Sequence, residues 1–245
     1  MLRYSRLLHG LFHRGLVVCE ADNDARFYEA HLDALVTGGL DHDLQLTHLD
    51  GWGRFDQALT QLRALDIPSA VIGDIDVLRE TSKLEKLVTA AGGDYGTIAA
   101  QVRVIQQRAD QLGGTARTAA VLDAVKPLLA AGRSGSMAVS NQEKDAISGA
   151  LKGESGWEQL KRSGIRSLRG HPAADAAPAV LNYLETLGVF LVPVGDLEAW
   201  YSLSTRKGTA AVISVLKKDL HLTNPEPELT AFLTRLLTYF HVQPT

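Results

Sequence analysis

The feature that most constrains the fold is an alternation of short apolar runs and amphipathic segments in the first third of the chain. Three runs have the apolar composition of buried strands: GLVVCE at 15–20, LQLTHL at 44–49 and IPSAVIG at 67–73. Residues 23–36 and 54–65, which lie between them, carry apolar side chains at helical spacing. Strands joined by helices of this length form parallel sheets with right-handed crossovers. We therefore predict an α/β fold.

A different pattern follows the third run. Between about residues 80 and 187 the strand signals stop and helical patterns take over, and a buried-strand pattern returns only at GVFLVPV, residues 188–194. The predicted organisation is therefore a sheet domain in two parts, with the first part at 1–79, a helical insertion at 80–187, and the second part with C-terminal helices at 188–245.

Composition excludes some classes of protein. A single cysteine among 245 residues, Cys19, rules out an intramolecular disulfide framework and favours a reducing cytoplasm. No stretch approaches the roughly 20 apolar residues of a membrane span, so no membrane partner is expected. The net charge of −3 does not favour nucleic acid, so a DNA contact would need a local basic patch.

The densest basic run is KRSGIRSLRGH, residues 161–171. Its four basic side chains are a candidate phosphate-contacting surface, although such a run is also typical of a solvated face. The candidate DNA-binding residues are Lys161, Arg162, Arg166 and Arg169. A second segment with two interpretations is the C-terminal LTAFLTRLLTYF, which is apolar enough to be core or the face of a homo-oligomer.

Acidic residues follow three of the four predicted strands. Glu20 ends the first run, Asp74 and Asp76 follow the third, and Glu198 follows the fourth within one helical turn. The loops at the carboxyl ends of parallel strands are the usual place for a site, so these carboxylates converge if the strands are neighbours. Clustered carboxylates repel one another and need protonation or a cation. Hard divalent cations suit such all-oxygen sites.

Individual acids also have simpler explanations. Asp24, at the start of the first predicted helix, belongs to a residue type that is preferred for helix capping. Glu20 could pair with Arg14 or Arg26. Asp74 is harder to explain in this way, because an acid after a strand that is buried on both faces has few polar partners there.

The order of these motifs resembles the Toprim domain, and in particular the nuclease domain of the OLD (overcoming lysogenization defect) family. VVCEADNDARFYEAHL is similar to the opening strand with its glutamate, LRALDIPSAVIGDID to the DxD strand, and GVFLVPVGDLEAWY to the last strand with its late acidic motif. The resemblance covers residues 7–80 and 186–220. It says little about the insertion, beyond the fact that OLD-type Toprim domains carry helical insertions.

The resemblance implies a Toprim-like parallel sheet and a divalent-metal-dependent DNA endonuclease with a two-metal site for Mg²⁺ or Mn²⁺. The residues that correspond to metal ligands, or that organise metal-bound water, are Glu20, Asp24, Asp74, Asp76 and Glu198. Glu20 and Asp74 would be catalytic, and Lys207 would be the basic residue at the scissile phosphate. Arg206, Lys217 and Lys218 are nearby alternatives to Lys207, and the role of Asp196 stays open.

The chain departs from full-length OLD proteins in one respect. Those proteins carry an ATPase before the Toprim part, whereas this sequence contains no GxxxxGK[ST] phosphate loop. The glycine-rich AAGRSGSM lacks the lysine and the preceding strand, so it is interpreted as a linker. We therefore expect no ATP site in this chain, and an ATPase region or subunit outside it as a partner.

Two other functions are compatible with the motifs. DIDVL resembles the nucleophile strand of haloacid-dehalogenase-type phosphatases, in which Asp74 would attack phosphorus, but that family places the motif on its first strand. The second alternative is a catalytically silent Toprim-like module that binds DNA or partner subunits. A repelling carboxylate cluster is of no use to such a module, which favours the nuclease.

Overall fold

The chain folds around a parallel β-sheet. The computed structural model describes residues 7–8, 10–36, 42–112, 118–130, 139–152, 155–201 and 209–242. The strands in this part of the chain are β1 (Gly15–Cys19), β2 (Leu44–His48), β3 (Ser69–Gly73) and β4 (Val189–Leu191). They form one four-stranded sheet in the order β2-β1-β3-β4, and every neighbouring pair is parallel. The predicted α/β class with a parallel sheet flanked by helices is confirmed.

Helices make up most of the remaining described residues. The α-helices are α1 (Asp22–Leu35), α2 (Phe55–Ala64), α3 (Thr81–Ala90), α4 (Ala99–Leu112), α5 (Thr118–Ala130), α6 (Asn141–Lys152), α7 (Gly156–Ser163), α8 (Ala173–Thr186), α9 (Thr209–Leu216), α10 (Leu220–Thr223) and α11 (Pro227–Tyr239). Short 3₁₀ turns lie at Trp52–Arg54, Ile75–Arg79, Tyr95–Thr97, Gly164–Leu168 and Leu197–Ala199. None of the helices in these ranges is both long and apolar enough to cross a membrane.

The sheet is buried on both faces. Side chains alternate along β1, so that Leu16 and Val18 join one hydrophobic cluster while Val17 and Cys19 join the other, and all four are fully buried. This burial explains why the strand is a continuous apolar run rather than an alternating one. Helices α2, α3, α4, α7 and α8 contribute to the first cluster, and α1, α9 and α11 contribute to the second.

Residues 80–187 are helical wherever they are described, but most of these helices cover the sheet directly. Leu84 of α3, Val102 of α4, Leu160 of α7 and Val180 of α8 all lie in the same core as Val71 of β3. Helices α5 and α6 pack against each other. Hydrophobic packing thus joins the helical segment to the sheet. The proposed boundaries 1–79, 80–187 and 188–245 stay a prediction.

The C-terminal apolar segment is part of the core. Helix α11 buries one face against the sheet through Leu229, Phe232, Leu233, Leu236 and Leu237. Phe232 lies edge-on to Phe190 of β4, with the ring centroids 5.8 Å apart. Of the two interpretations of LTAFLTRLLTYF, the structure therefore supports core.

Helix α7 is held closely against the loop that follows β4. The Ile165 N–H donates a hydrogen bond of 2.9 Å to the Pro193 carbonyl oxygen. Gly195 has a φ of +115°, and a Cβ atom at this position would lie 1.9 Å from the Lys161 carbonyl oxygen. The Gly195 carbonyl oxygen in turn accepts a hydrogen bond from the Ile75 N–H at 3.2 Å. One glycine thus fixes α7 relative to the turn that follows β3.

We expect Gly195→Ala to lower the free energy of unfolding by more than about 1 kcal/mol, because the residue combines a positive φ with contact to backbone atoms. Urea denaturation measures the change. The matched control is Gly53→Ala, since a Cβ atom at Gly53 would meet no atom within 4 Å. Equal losses of stability in the two variants would contradict this account of the α7 contact.

Candidate metal centre

Three carboxylates meet where β1 and β3 end. These strands are direct neighbours, with Cys19 paired to Ile72, so that Glu20 and Asp74 leave the sheet at the same edge. Asp76 lies in the 3₁₀ turn that follows Asp74. One carboxylate oxygen from each of Glu20, Asp74 and Asp76 lies within 4.8 Å of the others. The predicted convergence of acids is therefore observed for these three residues.

Backbone contacts orient this acidic triad, by which we mean Glu20, Asp74 and Asp76. The Asp74 N–H donates a hydrogen bond of 2.8 Å to Glu20 Oε1. A Cβ atom at Gly73 would lie 3.2 Å from the same oxygen, so the absence of a side chain there lets the glutamate lie across the end of β3. The contact fixes the Glu20 carboxylate relative to the next strand.

Asp76 offers an oxygen atom that is buried and unused. Asp76 Oδ1 is inaccessible to solvent and has no hydrogen-bond partner among the described residues. Because buried polar atoms are almost always hydrogen-bonded, such an atom requires an explanation, and a bound ion is one. Three carboxylates with one unpartnered buried oxygen fit a hard divalent cation, for which oxygen ligands are preferred.

A lysine from a distant part of the chain completes the cluster. Lys161 Nζ lies 2.6 Å from Asp74 Oδ2 and 3.4 Å from Asp76 Oδ2. From the sequence, Lys161 was interpreted as one member of a DNA-binding run, whereas its ammonium group contacts the acidic triad. The contact joins residues 85 positions apart, Asp76 and Lys161, and no local pattern in the sequence indicates it.

The other basic residues of the run lie on the surface. Arg162, Arg166 and Arg169 are exposed. Arg166 forms an ion pair with Glu228 at the start of α11. The run is therefore divided between one lysine at the acidic triad and three arginines that face solvent.

Asp24 and Glu198 lie outside the set of three converging oxygens. Asp24 Oδ2 accepts a hydrogen bond of 2.9 Å from the Ala21 N–H, which closes the first turn of α1. Asp24 is thus a first-turn acid that bonds back to the capping position, which Ala21 occupies. Burial raises the pKa of Asp24, and the negative charge of Glu198 raises it further.

The structure describes one of the two remaining candidate residues, Asp196, but not the other, Lys207. Asp196, whose role the sequence left open, caps the 3₁₀ turn Leu197–Ala199, because its Oδ1 accepts a hydrogen bond of 3.1 Å from the Ala199 N–H. Lys207 lies outside the described residues. Its assignment to the scissile phosphate stays a prediction.

Burial makes two acids of the triad, Glu20 and Asp74, more difficult to ionise than free carboxylates. It raises the pKa of Glu20 to about 7, and the charge of Asp76 adds to this effect against the opposing Asp74 N–H bond. Burial and then the Glu20 charge raise the pKa of Asp74 well above its usual range. Burial also lowers the pKa of Lys161, but its contacts with Asp74 outweigh this effect and the pKa is raised. Glu20 therefore retains a proton up to about neutral pH unless a further cation compensates the charge of the cluster.

The stability of the metal-free chain should fall as the pH rises from about 4.5 to about 7, the ordinary and the raised pKa of Glu20. The folded chain retains a proton on Glu20 that the unfolded chain has lost, so stability declines by up to about 1.4 kcal/mol per pH unit. Glu20→Gln cannot ionise but can still accept the Asp74 N–H bond. We therefore expect this variant to melt at a higher temperature than the parent chain at pH 8 with chelator, and not at pH 4.5.

The control for this experiment is Glu85→Gln, which changes an exposed glutamate on α3. Thermal melts recorded by circular dichroism would show the difference. A Glu20→Gln variant whose melting temperature follows that of the parent at every pH would contradict the account of Glu20 as a group that burial keeps protonated.

Comparison with known proteins identifies no relative of this chain. No protein-family model matches this chain, and neither a curated protein nor a solved structure matches it. The resemblance to Toprim domains therefore depends on the sequence motifs and their order. The geometry of the acidic triad is an independent basis for a functional argument.

Proposed function

We propose that this chain is a divalent-metal-dependent DNA endonuclease, the nuclease region of an OLD-type protein. The observation that carries the proposal is the acidic triad, in which three carboxylate oxygens from two neighbouring strand ends lie within 4.8 Å of one another. The buried, unpartnered Asp76 Oδ1 adds support. Glu20, Asp74 and Asp76 would hold Mg²⁺ or Mn²⁺.

A divalent cation at this position supplies Lewis acidity for a phosphoryl oxygen and lowers the pKa of bound water. The residues of the chain supply orientation and charge. Glu20 is held by the Asp74 N–H, so its carboxylate is positioned before a substrate arrives. A bound cation would favour the ionised form of Glu20, in which its carboxylate can act as a ligand or orient a metal-bound water molecule.

Basic residues beside the triad support a phosphodiester substrate. Lys161 reaches the triad, and Arg162 and Arg169 are exposed on the same segment as Lys161. Guanidinium groups bind the phosphate backbone of nucleic acids irrespective of sequence. A chain with a net charge of −3 would thereby present exposed arginines on the segment that also carries Lys161. Lys207 stays part of the proposal as a second lysine at the phosphate.

Asp24 and Glu198 support the two-metal form of the mechanism. The charge of Glu198 acts on Asp24, and Asp24 in turn acts on Glu20. Asp24 therefore lies close enough to Glu20 to affect its ionisation, and Glu198 lies close enough to Asp24 to affect that of Asp24. In two-metal enzymes the ions lie about 3.5–4 Å apart and stabilise the attacking and leaving oxygens. Asp24 and Glu198 would be ligands of the second ion.

Asp74→Asn should reduce cleavage of supercoiled plasmid in Mg²⁺ or Mn²⁺ by about a hundredfold or more, because it removes the charge of a metal ligand with little change in volume. Gel electrophoresis of the nicked and linear products measures cleavage, and chelator should abolish it in the parent chain. Asp145→Asn on α6 changes an exposed aspartate and should retain activity. Full activity in Asp74→Asn, with an unchanged melting curve, would remove Asp74 from the mechanism.

The ion pair between Lys161 and Asp74 also favours a second candidate, a phosphatase with Asp74 as the nucleophile. An ammonium group 2.6 Å from Asp74 Oδ2 would offset the charge of an incoming phosphate. Beryllofluoride distinguishes the two functions, because it would form an adduct on Asp74 in the phosphatase and none in the nuclease. A chain that binds DNA but neither cleaves it nor forms the adduct would be the silent binding module.

Metal affinity should depend on pH. Burial raises the pKa of Glu20 to about 7, so a cation that binds below this pH must displace the Glu20 proton. We expect Mn²⁺ to bind about tenfold more tightly at about pH 8 than at about pH 6. Isothermal titration calorimetry in buffers of different ionisation enthalpy would measure both affinity and proton release. Binding that neither strengthens with pH nor releases protons would place the ion away from the triad.

A further inference from the structure

The Lys161 ammonium group is a cation of the protein itself, and it contacts two acids of the triad, Asp74 and Asp76. We propose that the Lys161 ammonium takes the position of one divalent cation, so that the chain without DNA binds a single divalent ion and admits the second ion of the proposed two-metal mechanism only when this ammonium moves away from the triad or is removed. The inference rests on the proposed metal-binding function of the triad and concerns the regulation of the same site.

Distances show what the ammonium group excludes. Lys161 Nζ lies 2.6 Å from Asp74 Oδ2 and 3.4 Å from Asp76 Oδ2, so it bridges the two aspartates of the DxD motif. Mg²⁺ binds oxygen at about 2.0–2.1 Å. An ion bridging these same two oxygens would overlap the ammonium group. Asp76 Oδ1, which has no partner among the described residues, the other Asp74 oxygen and the Glu20 carboxylate remain for a single ion.

The net charge of the triad and Lys161 also favours a single divalent ion. The three carboxylates of the triad carry three negative charges when ionised, and Lys161 offsets one of them. The remaining two match one divalent cation. A second divalent ion beside the ammonium would have to overcome its repulsion, which amounts to several kcal/mol at a separation of about 4 Å in a partly buried site.

The side chain of Lys161 can move away from the acidic triad while its backbone stays packed against the loop after β4. Lys161 is anchored by the close approach of Gly195 to its carbonyl oxygen, and the following Gly164 is packed against the Pro193 carbonyl oxygen. The side chain is 37% exposed, which leaves it a path towards solvent. Entry of a second ion would therefore require a rotation of the side chain and no movement of α7.

The test is the number of Mn²⁺ ions bound by the full chain. Isothermal titration calorimetry at pH 8 should give one ion for the parent chain and two for Lys161→Met, whose apolar stem is retained while its charge is lost. The first ion should bind at least about tenfold more tightly in Lys161→Met. Lys161→Arg retains the charge and should still bind one ion. Lys86→Met removes an exposed lysine from α3 and should match the parent.

Electron paramagnetic resonance gives a second readout. Two neighbouring Mn²⁺ ions couple magnetically, so the spectrum of Lys161→Met should show a coupled pair where the parent shows an isolated ion. Circular dichroism melts establish that each variant is folded. If Lys161→Met does not fold, Lys161→Gln provides the same test, because its amide is neutral and can still donate a hydrogen bond to an aspartate.

The outcomes separate this inference from the proposed function. Two ions in the parent chain, or one ion in the folded charge-removing variant, would overturn the role of Lys161 and leave the metal site standing. No Mn²⁺ binding by the parent or by any variant would overturn the metal site itself, and the inference with it. One ion in the parent and a coupled pair in Lys161→Met would support both.

Discussion

The parallel pairing of β1 with β3 is the contact on which the rest of the candidate site depends. Cys19 lies opposite Ile72, so Glu20 and Asp74 leave the sheet side by side, and the Asp74 N–H bonds to the glutamate. Both strands are buried on both faces, which fixes the register, because a shift would break packing on two sides at once. The hydrophobic core thus determines the distance between carboxylates that repel one another.

This arrangement has an electrostatic cost that the chain offsets in part. Burial raises the pKa of Glu20 and of Asp74, whereas Lys161 counters the charge from α7. The ammonium depends on a backbone contact, since Gly195 lets the loop after β4 lie directly against the Lys161 carbonyl oxygen. A loop, a helix and two strands therefore act together on one cluster of charge. Such a cluster stores unfavourable charge that a divalent ion would relieve.

The helical residues between β3 and β4 have a double role in this view. Leu84 and Val102 cover the sheet, as the helices of any α/β fold do, whereas Lys161 reaches the carboxyl edge and takes part in the site. Trp157 and Leu160, which precede this lysine on α7, are buried in the same core. The packing of α7 thus positions the ammonium group at the triad. A helix that only covered the sheet would not need the close glycine contacts at Gly164 and Gly195.

The sequence by itself determined the α/β class, the position of each strand and the convergence of Glu20, Asp74 and Asp76, because apolar runs report burial and parallel strands end at one edge. It also indicated Asp24, but not that Ala21 is the capping residue that bonds to it. Only the tertiary structure decided that α11 is core, that Asp196 caps a turn, and that Lys161 belongs with Asp74 rather than with the arginines beside it. The physical reason is that these outcomes depend on contacts between residues far apart in the chain, which local patterns of polarity do not encode.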